Sequence, residues 1–264
     1  MVFEAFFANA LLAGSCIAIA SGLLGWFVVL RGQVFAGDAL SHVAFTGALA
    51  AAAVGLGLRA GLFAATVLVA LVIAALGARS RADDVSIGIV FVWVLGLGVF
   101  FLDRFNSSGG GSSATIAART LFGSLFGLTA GEARLAALIA AGTALALLAV
   151  GRPLLFTSID APLAAASGAP VRALGFAFLI LLGIVAAEAT QAVGALLLLG
   201  LLAAPAGAAH RLTANPYRGM ALAAGIALLA MWGGLALSYW VAALAPGAAV
   251  ILVAAGIYAL TMVV

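Results

Sequence analysis

Residues 10–30 read ALLAGSCIAIASGLLGWFVVL, a stretch without a charged side chain that ends at Arg31. An α-helix of roughly twenty residues crosses the ~30 Å hydrocarbon core of a bilayer. Comparable apolar stretches follow at about 36–58, 60–78, 85–102, 132–150, 172–188, 190–209, 219–243 and 247–264. They lack the period-two alternation of barrel strands. The pattern predicts an all-α polytopic integral membrane protein with about eight to nine transmembrane helices: nine as divided here, eight if the division at 60–78 or within 172–209 is wrong.

The composition agrees with a location in the bilayer. Of the 264 residues, 67% are apolar and 7% are charged, whereas soluble domains carry about 25% charged residues. All eleven basic residues are arginines, which excludes a Walker A lysine and a Schiff-base lysine. The single cysteine, Cys16, excludes an internal disulfide and a Cys-rich zinc site. We expect one transmembrane domain over residues 1–264 in the cell membrane, with no nucleotide site, no permanently bound cofactor and no nucleic-acid partner.

The arginines predict the orientation of the chain. Seven of the eleven fall in the odd-numbered loops between the nine spans and four in the even-numbered loops. Because cytoplasmic loops are enriched in Arg and Lys, the odd-numbered loops are expected in the cytoplasm. The N-terminus is then outside and the C-terminus inside.

Two loops are too long to be simple connections. In the outer loop, residues 106–113 are polar and glycine-rich and predict a flexible stretch. The following apolar positions predict a short helix at the outer interface or re-entering the membrane; they are Leu121, Phe122, Leu125, Phe126 and Leu128.

The second long loop, residues 151–171, predicts a short cytoplasmic helix. Ser158 or Asp160 can cap its start, Pro162 fits its first turn, and Gly168 with Pro170 ends it. Such a helix either docks a partner or is a plain amphipathic connector, and the sequence alone leaves both readings open.

Asp38 and His42 are the residues most able to carry chemistry. Their i, i+4 spacing puts both on one face of the second span. Ionisable residues in membrane helices are costly and usually face an interior pathway. A carboxylate and an imidazole make half of a zinc site or a workable manganese site, and a dimer would supply four ligands. The other reading is a local Asp–His pair that stabilises the start of the helix.

Other polar residues receive structural interpretations. Glu188, Thr190 and Gln191 interrupt an apolar stretch too long for one crossing, so they predict a tight turn at the outer face. Glu188 lining an entry mouth for cations is the alternative. His210 is expected at the cytoplasmic interface, and Asp83 with Asp84 at the start of the fourth span, where carboxylates oppose the helix dipole.

Six segments then indicate a family. They are Val-Leu-Arg at 29–31 followed by Gly-Asp-Ala-Leu-Ser-His at 37–42, an acidic pair with Ile-Gly-Ile-Val-Phe within 83–91, and the segments 121–125, 160–168, 193–206 and 237–252. In this order, over about residues 10–260, they resemble the permease subunits of the zinc, manganese and iron ABC transporters, the ABC-3 type. Two features depart from the pattern: Gly32 stands where the family usually has a second basic residue, and Glu188 is not part of it.

The resemblance implies both partners and residue roles. It implies a dimer of permease chains (a homodimer or two related permeases), two cytoplasmic ATPase subunits that hydrolyse ATP, and an extracytoplasmic protein that delivers a divalent metal for import. Asp38 and His42 become ligands of the translocated metal, which is zinc or manganese, with zinc favoured by the imidazole. The segment with Asp160, Ala164 and Gly168 becomes the helix that docks the ATPase.

Two other functions remain as alternatives. A secondary cation carrier or channel would use Asp38, His42 and Glu188 as a proton or cation relay and would need no ATPase. An intramembrane metalloenzyme would need more ligands than one chain with two His provides. A purely structural protein would gain nothing that offsets the free-energy cost of burying Asp38 and His42 in the membrane.

Overall fold

The structure, a computed structural model, describes residues 2–77, 84–107, 113–241 and 244–263, and this part of the chain contains helices and no strand. The helices are α1 Val2–Leu30, α2 Val34–Ala53, α3 Leu58–Leu76, α4 Asp84–Ser107, α5 Ser113–Phe122, α6 Ala130–Ile159, α7 Ala161–Ala166, α8 Val171–Ala192, α9 Leu198–Leu212, α10 Pro216–Trp240 and α11 Pro246–Val263. A single 3₁₀ turn, Leu125–Gly127, lies between α5 and α6.

The predicted all-α polytopic fold is confirmed. Within the described ranges, eight helices are long and apolar enough to cross a bilayer: α1, α2, α3, α4, α6, α8, α10 and α11. The stretch at 190–209, predicted as a ninth span, forms α9, which has 15 residues. At 1.5 Å per residue α9 is about 22 Å long, so the long helices alone give the smaller predicted number, eight. The shorter α9 starts at the break after α8, and its His210 lies beside Trp26, near the end of α1.

Two ends of the helix bundle can be defined from α6. It starts beside α5 and the 3₁₀ turn and ends at α7. We therefore call the two ends the α5 end and the α7 end. α1 lies at the centre of the bundle and packs against α6, α8, α9 and α10. At Gly25 the backbones are so close that an added Cβ would overlap the carbonyl oxygen of Leu202 in α9.

A break in the backbone separates α8 from α9 at the α5 end. Gly194 in this break has a φ of 100°. The break pairs with the last turn of α5: the amides of Ala195 and Leu196 donate to the carbonyl oxygens of Thr120 (3.1 Å) and Leu121 (3.3 Å). The polar groups of the interrupted backbone are thus satisfied by protein, as an apolar environment requires.

The α5 segment corrects part of the outer-loop prediction. Residues 106 and 107 are helical because α4 continues to Ser107, and residues 108–112 lie outside the described ranges. The predicted short helix exists but ends at Phe122, and Leu125, in the 3₁₀ turn, is fully buried. The 3₁₀ turn therefore packs into the bundle, and the interfacial and re-entering placements of α5 both stay predictions.

Candidate functional site

Asp38 and His42 lie in the first half of α2, which starts at the α7 end. A turn with Gly32 at φ 66° and Gln33 as the N-terminal cap residue leads into this helix. Both side chains are partly exposed, whereas their neighbours Ala39, Leu40, Ser41 and Val43 are buried. The i, i+4 spacing of the pair therefore gives α2 one polar face between buried positions.

An aromatic wall borders this polar face. The His42 ring meets the Phe91 ring of α4 edge to face, with centroids 5.3 Å apart, and Phe91 also contacts Phe35 at 5.7 Å. On α2, Phe35 is one turn before Asp38 and two turns before His42. The two aromatic rings thus restrict the positions open to the imidazole while its surroundings remain apolar.

One chain supplies too few donors for a resident metal. Within the described part of the chain, no three His, Cys, Asp or Glu side chains come together. A carboxylate and an imidazole fall short of the four ligands of a structural zinc site. A two-donor face can hold a divalent cation in passage, and a second chain would raise the number of donors to four.

Glu188, Thr190 and Gln191 do not form the predicted turn. All three belong to α8, which continues to Ala192, and the turn lies after them. The apolar residues on either side favour helix, and the positive-φ Gly194 is the residue that permits the reversal. The prediction placed the turn at the polar residues, whereas Gly194, three positions after the last of them, was the better signal.

Glu188 is paired with a cation. It is 2% exposed and accepts hydrogen bonds from Nη2 of Arg59 at 3.1 and 3.3 Å, and Arg59 is 23% exposed. The preceding Ala187 packs with Ala44 and Ala48 of α2. At 100° per residue those two alanines point roughly 80–160° away from Asp38 and His42. Glu188 is therefore neutralised by Arg59 on a different side of α2 from the Asp–His face, which argues against a relay through all three residues.

The short helix α7 matches its prediction closely. Of the two predicted caps the structure uses Asp160, whose carboxylate accepts from the Leu163 amide at 2.9 Å. At the other end, Gly168 has a φ of 85°, and the amides of Gly168 and Ala169 donate back to Ala165 and Ala164 at 3.1 and 3.0 Å. This is a Schellman motif, which requires the left-handed conformation that glycine adopts freely.

Burial of α7 is uneven. Ala164 is 0% exposed and faces the bundle, whereas Leu163 is 56% exposed. Asp160 and Gly168 are also exposed. A six-residue helix with an apolar side chain turned outward at the end of a membrane bundle is suited to contact another protein.

Arg31 is a buried residue whose environment sequence reasoning missed. It is 4% exposed, and its guanidinium lies over the ring of Phe178 in α8 at 4.8 Å. Nη1 donates to the Ser158 hydroxyl at 3.2 Å, so the second predicted cap residue serves Arg31 instead of α7. The sequence pattern placed Arg31 in a charged loop. No spacing rule connects Arg31 with Ser158, which is 127 positions away.

The remaining candidates have structural roles. His210 stacks on Trp26 with ring centroids 4.9 Å apart, and its Nε2 is 3.1 Å from the Trp26 carbonyl oxygen. Asp84 lies in the first turn of α4 as predicted. Asp83 lies outside the described ranges.

Comparisons with known proteins identify similar chains. Residues 4–264 match the ABC 3 transport family. The manganese transport system membrane protein MntC of Listeria innocua is 31% identical over 255 residues, which cover 96% of this chain and 88% of that protein. MntC of Halalkalibacterium halodurans is 29% identical, with 96% and 85% covered.

A solved structure shares the fold. It is PsaBC from Streptococcus pneumoniae in complex with Fab, which superimposes with a TM-score of 0.83 at 27% sequence identity. The similarity covers 97% of this chain and 91% of the matched chain.

Proposed function

Because the chain belongs to the ABC 3 transport family, we propose that it is the membrane-spanning permease subunit of an ATP-driven importer of divalent metal, manganese or zinc. It is a multi-pass protein of the plasma membrane. In the proposal, residues 1–264 form one transmembrane domain that pairs with a second permease chain. Two cytoplasmic ATPase subunits hydrolyse ATP, and an extracytoplasmic binding protein delivers the metal, which is cargo and not a cofactor.

The observation that carries the proposal is the partly exposed Asp38–His42 face of α2. Its two ionisable side chains stand between buried neighbours on a membrane helix, a placement that is costly unless it serves a pathway. Two chains related by a twofold axis would bring two carboxylates and two imidazoles together, a mixed oxygen and nitrogen set that suits both metals. Imidazole chemistry alone favours zinc. The two relatives named for manganese transport support manganese instead.

The proposed mechanism is alternating access. The metal exchanges water for Asp38 and His42 near the middle of the path and is released when the helices tilt. The partner ATPases contact the outward face of α7, the segment with Asp160, Ala164 and Gly168, and their closure on ATP pushes this helix. The exposed Leu163 is the proposed contact, Asp160 and Gly168 shape the two ends of the helix, and Ala164 faces the bundle and holds α7 against it. The Glu188–Arg59 pair stays outside the path.

Transport assays test the metal ligands. The complex of this chain with its ATPase and binding protein is reconstituted in vesicles, and manganese and zinc uptake are measured with and without ATP. We expect uptake in Asp38→Asn and His42→Gln to fall at least tenfold, because each variant replaces a carboxylate or an imidazole by a weaker neutral amide ligand in both halves of the site. Asp103→Asn, a change at an exposed carboxylate, and His210→Gln are the matched controls and should retain uptake within twofold.

Three outcomes would contradict parts of the proposal. Uptake that persists without ATP and collapses with the proton gradient would favour the secondary carrier. ATP-driven uptake that is unchanged in Asp38→Asn and His42→Gln would return the pair to a structural role at the start of α2. Uptake of zinc alone would reverse the choice of manganese.

A further inference from the structure

Arg31 connects three separate parts of the bundle at the α7 end. It follows the last residue of α1, and its Nε donates to the Gln33 side-chain oxygen at 3.0 Å. Its Nη1 donates to Ser158 in the last turn of α6, and its guanidinium plane covers Phe178 of α8. Because the side chain is 4% exposed, water cannot readily replace these contacts, and giving them up would leave a buried charge poorly compensated.

One side of this cluster leads directly to α7. Ser158 is 3% exposed, and its hydroxyl donates to the Leu154 carbonyl oxygen at 2.6 Å, which fixes it to the last turn of α6. Two residues later, Asp160 ends α6 and caps α7. Ala164 of α7 is fully buried. A displacement of α7 must therefore move the turn of α6 that carries Ser158.

The other side leads to the Asp–His face of α2. Gln33 is 2% exposed and is the N-terminal cap residue of α2, and its carbonyl oxygen accepts from the amides of Ala36 (3.1 Å) and Gly37 (3.4 Å). Its own amide donates to Val28 of α1 at 2.9 Å. Asp38 follows about 7.5 Å further along the same helix. A displacement of Gln33 thus moves the first turns of α2 and the carboxylate they carry.

We propose that Arg31 is the positioning residue that makes α7 and the start of α2 move as one body, so that a push on α7 shifts Asp38 and His42. The inference rests on the proposed function, in which a partner ATPase supplies that push. A guanidinium is suited to the task because its planar fork holds two acceptors in fixed directions at once, whereas a lysine ammonium is a point charge on a flexible stem.

The first test separates hydrolysis from transport. ATP hydrolysis and manganese uptake are measured on the same reconstituted complex for Arg31→Gln. We expect hydrolysis within twofold of the parent and at least a tenfold fall in manganese transported per ATP, because α7 still docks but no longer moves α2. Arg152→Gln, the same change at an exposed position of α6, is the matched control and should keep the parent ratio. A fall of both activities together, or no change, would overturn the proposal.

Two milder variants protect the test against misfolding. Ser158→Ala removes the acceptor on the α6 side, and Phe178→Leu removes the aromatic face while the site stays apolar. Each should lower the manganese-to-ATP ratio three- to tenfold, and Arg31→Lys should be intermediate between the parent and Arg31→Gln. Variants that assemble normally with the parent ratio would contradict the proposal.

A distance measurement tests the link without any ATPase. Spin labels are attached to Ala166→Cys in α7 and Val54→Cys, the exposed C-terminal cap residue of α2, in a Cys16→Ser background. The distance distribution should be narrow in the parent and in Arg152→Gln. In Arg31→Gln its width should be at least one and a half times that of the parent. An unchanged width would overturn the link. Loss of ATP-dependence in the parent complex would instead overturn the proposed function and leave the link standing, so the two failures are distinguishable.

Discussion

Two arginines lie at opposite ends of α2 and are held in different ways. At the α7 end, Arg31 is 4% exposed and contacts the Gln33 amide, the Ser158 hydroxyl and the Phe178 ring. At the α5 end, Arg59 is 23% exposed and forms an ion pair with the Glu188 carboxylate, which is 2% exposed. The first set of contacts is directional, and the second compensates a buried charge.

The difference shows how the two ends of the bundle are stabilised. The α5 end holds α3 against the last turns of α8, immediately before the backbone break, with a pair in which only Arg59 reaches solvent. The α7 end joins α1, α2, α6 and α8 through one guanidinium. We infer that the α5 end is a fixed frame, whereas the α7 end transmits movement, and the following predictions test this contrast.

The largest effect is expected when the buried carboxylate loses its partner. Arg59→Met leaves Glu188 uncompensated in an apolar site and should lower the free energy of unfolding by about 3–5 kcal/mol. Glu188→Gln should cost only about 1 kcal/mol, because the freed Arg59 can turn towards solvent. Unfolding in mixed detergent micelles, followed by tryptophan fluorescence, measures both values.

The double variant Arg59→Met/Glu188→Leu is the control for this asymmetry. Replacing a buried ion pair by apolar residues of similar volume is often neutral, so the double variant should recover most of the loss seen in Arg59→Met. Equal costs for the two single variants would show that the carboxylate is hydrated and would remove the contrast between the ends.

Glycines with positive φ give the second comparison. Gly194, in the α8–α9 break, has φ 100°, and a Cβ there would overlap the carbonyl oxygen of Leu121. Gly168, after α7, has φ 85° and no atom within 4 Å of an added Cβ. Gly194→Ala should therefore cost about 2–4 kcal/mol, from strain plus overlap, and Gly168→Ala about 1 kcal/mol, from strain alone.

Thermal unfolding of the two alanine variants in the same detergent decides this prediction. A larger loss of stability in Gly168→Ala than in Gly194→Ala would mean that α7, and not the paired break, is the rigid part of the bundle. Gly142→Ala, in the middle of α6 with open space around the added methyl, is the control and should leave stability equal or slightly higher.

Much of the fold follows from the sequence because membrane spans need only length and apolarity. The eight long helices and the capped α7 were predicted on that basis and from cap residues such as Asp160. The break between α8 and α9 was placed wrongly because its stability comes from hydrogen bonds to Thr120 and Leu121. Such long-range pairing leaves no periodic signal in the sequence, and the local mark of the break was Gly194 rather than the polar residues.

The candidate site was only partly predictable for the same reason. The i, i+4 pair Asp38 and His42 is a local pattern, and the structure gives it the shared polar face that this spacing predicts. The Arg59–Glu188 pair spans 129 positions of sequence. No single-sequence pattern identifies such a partner, so Glu188 was assigned to a turn when its burial requires a cation.

The smallest effects are expected at the helix caps, one at each end of α6. Thr129 at the α5 end accepts from the Glu132 amide at 3.4 Å in a capping box, and Asp160 at the α7 end caps α7. Thr129→Ala and Asp160→Ala should each lower the stability of the adjoining helix by about 1 kcal/mol. In α6, which has 30 residues, this loss means fraying of one turn. In α7, with 6 residues, it removes a large part of the helix.

The two caps should therefore differ in binding more than in stability. If α7 docks the ATPase as proposed, a loss of about 1 kcal/mol in the docking helix weakens association with the isolated ATPase subunit about fivefold, which a titration in detergent can measure. Thr129→Ala should leave association unchanged, and Asp160→Asn, which keeps a good cap, should bind like the parent. Equal weakening by Asp160→Asn would show that the carboxylate itself contacts the ATPase. Unchanged binding in Asp160→Ala would mean that the contact does not require a formed α7. That result would contradict the inference that the α7 end transmits movement.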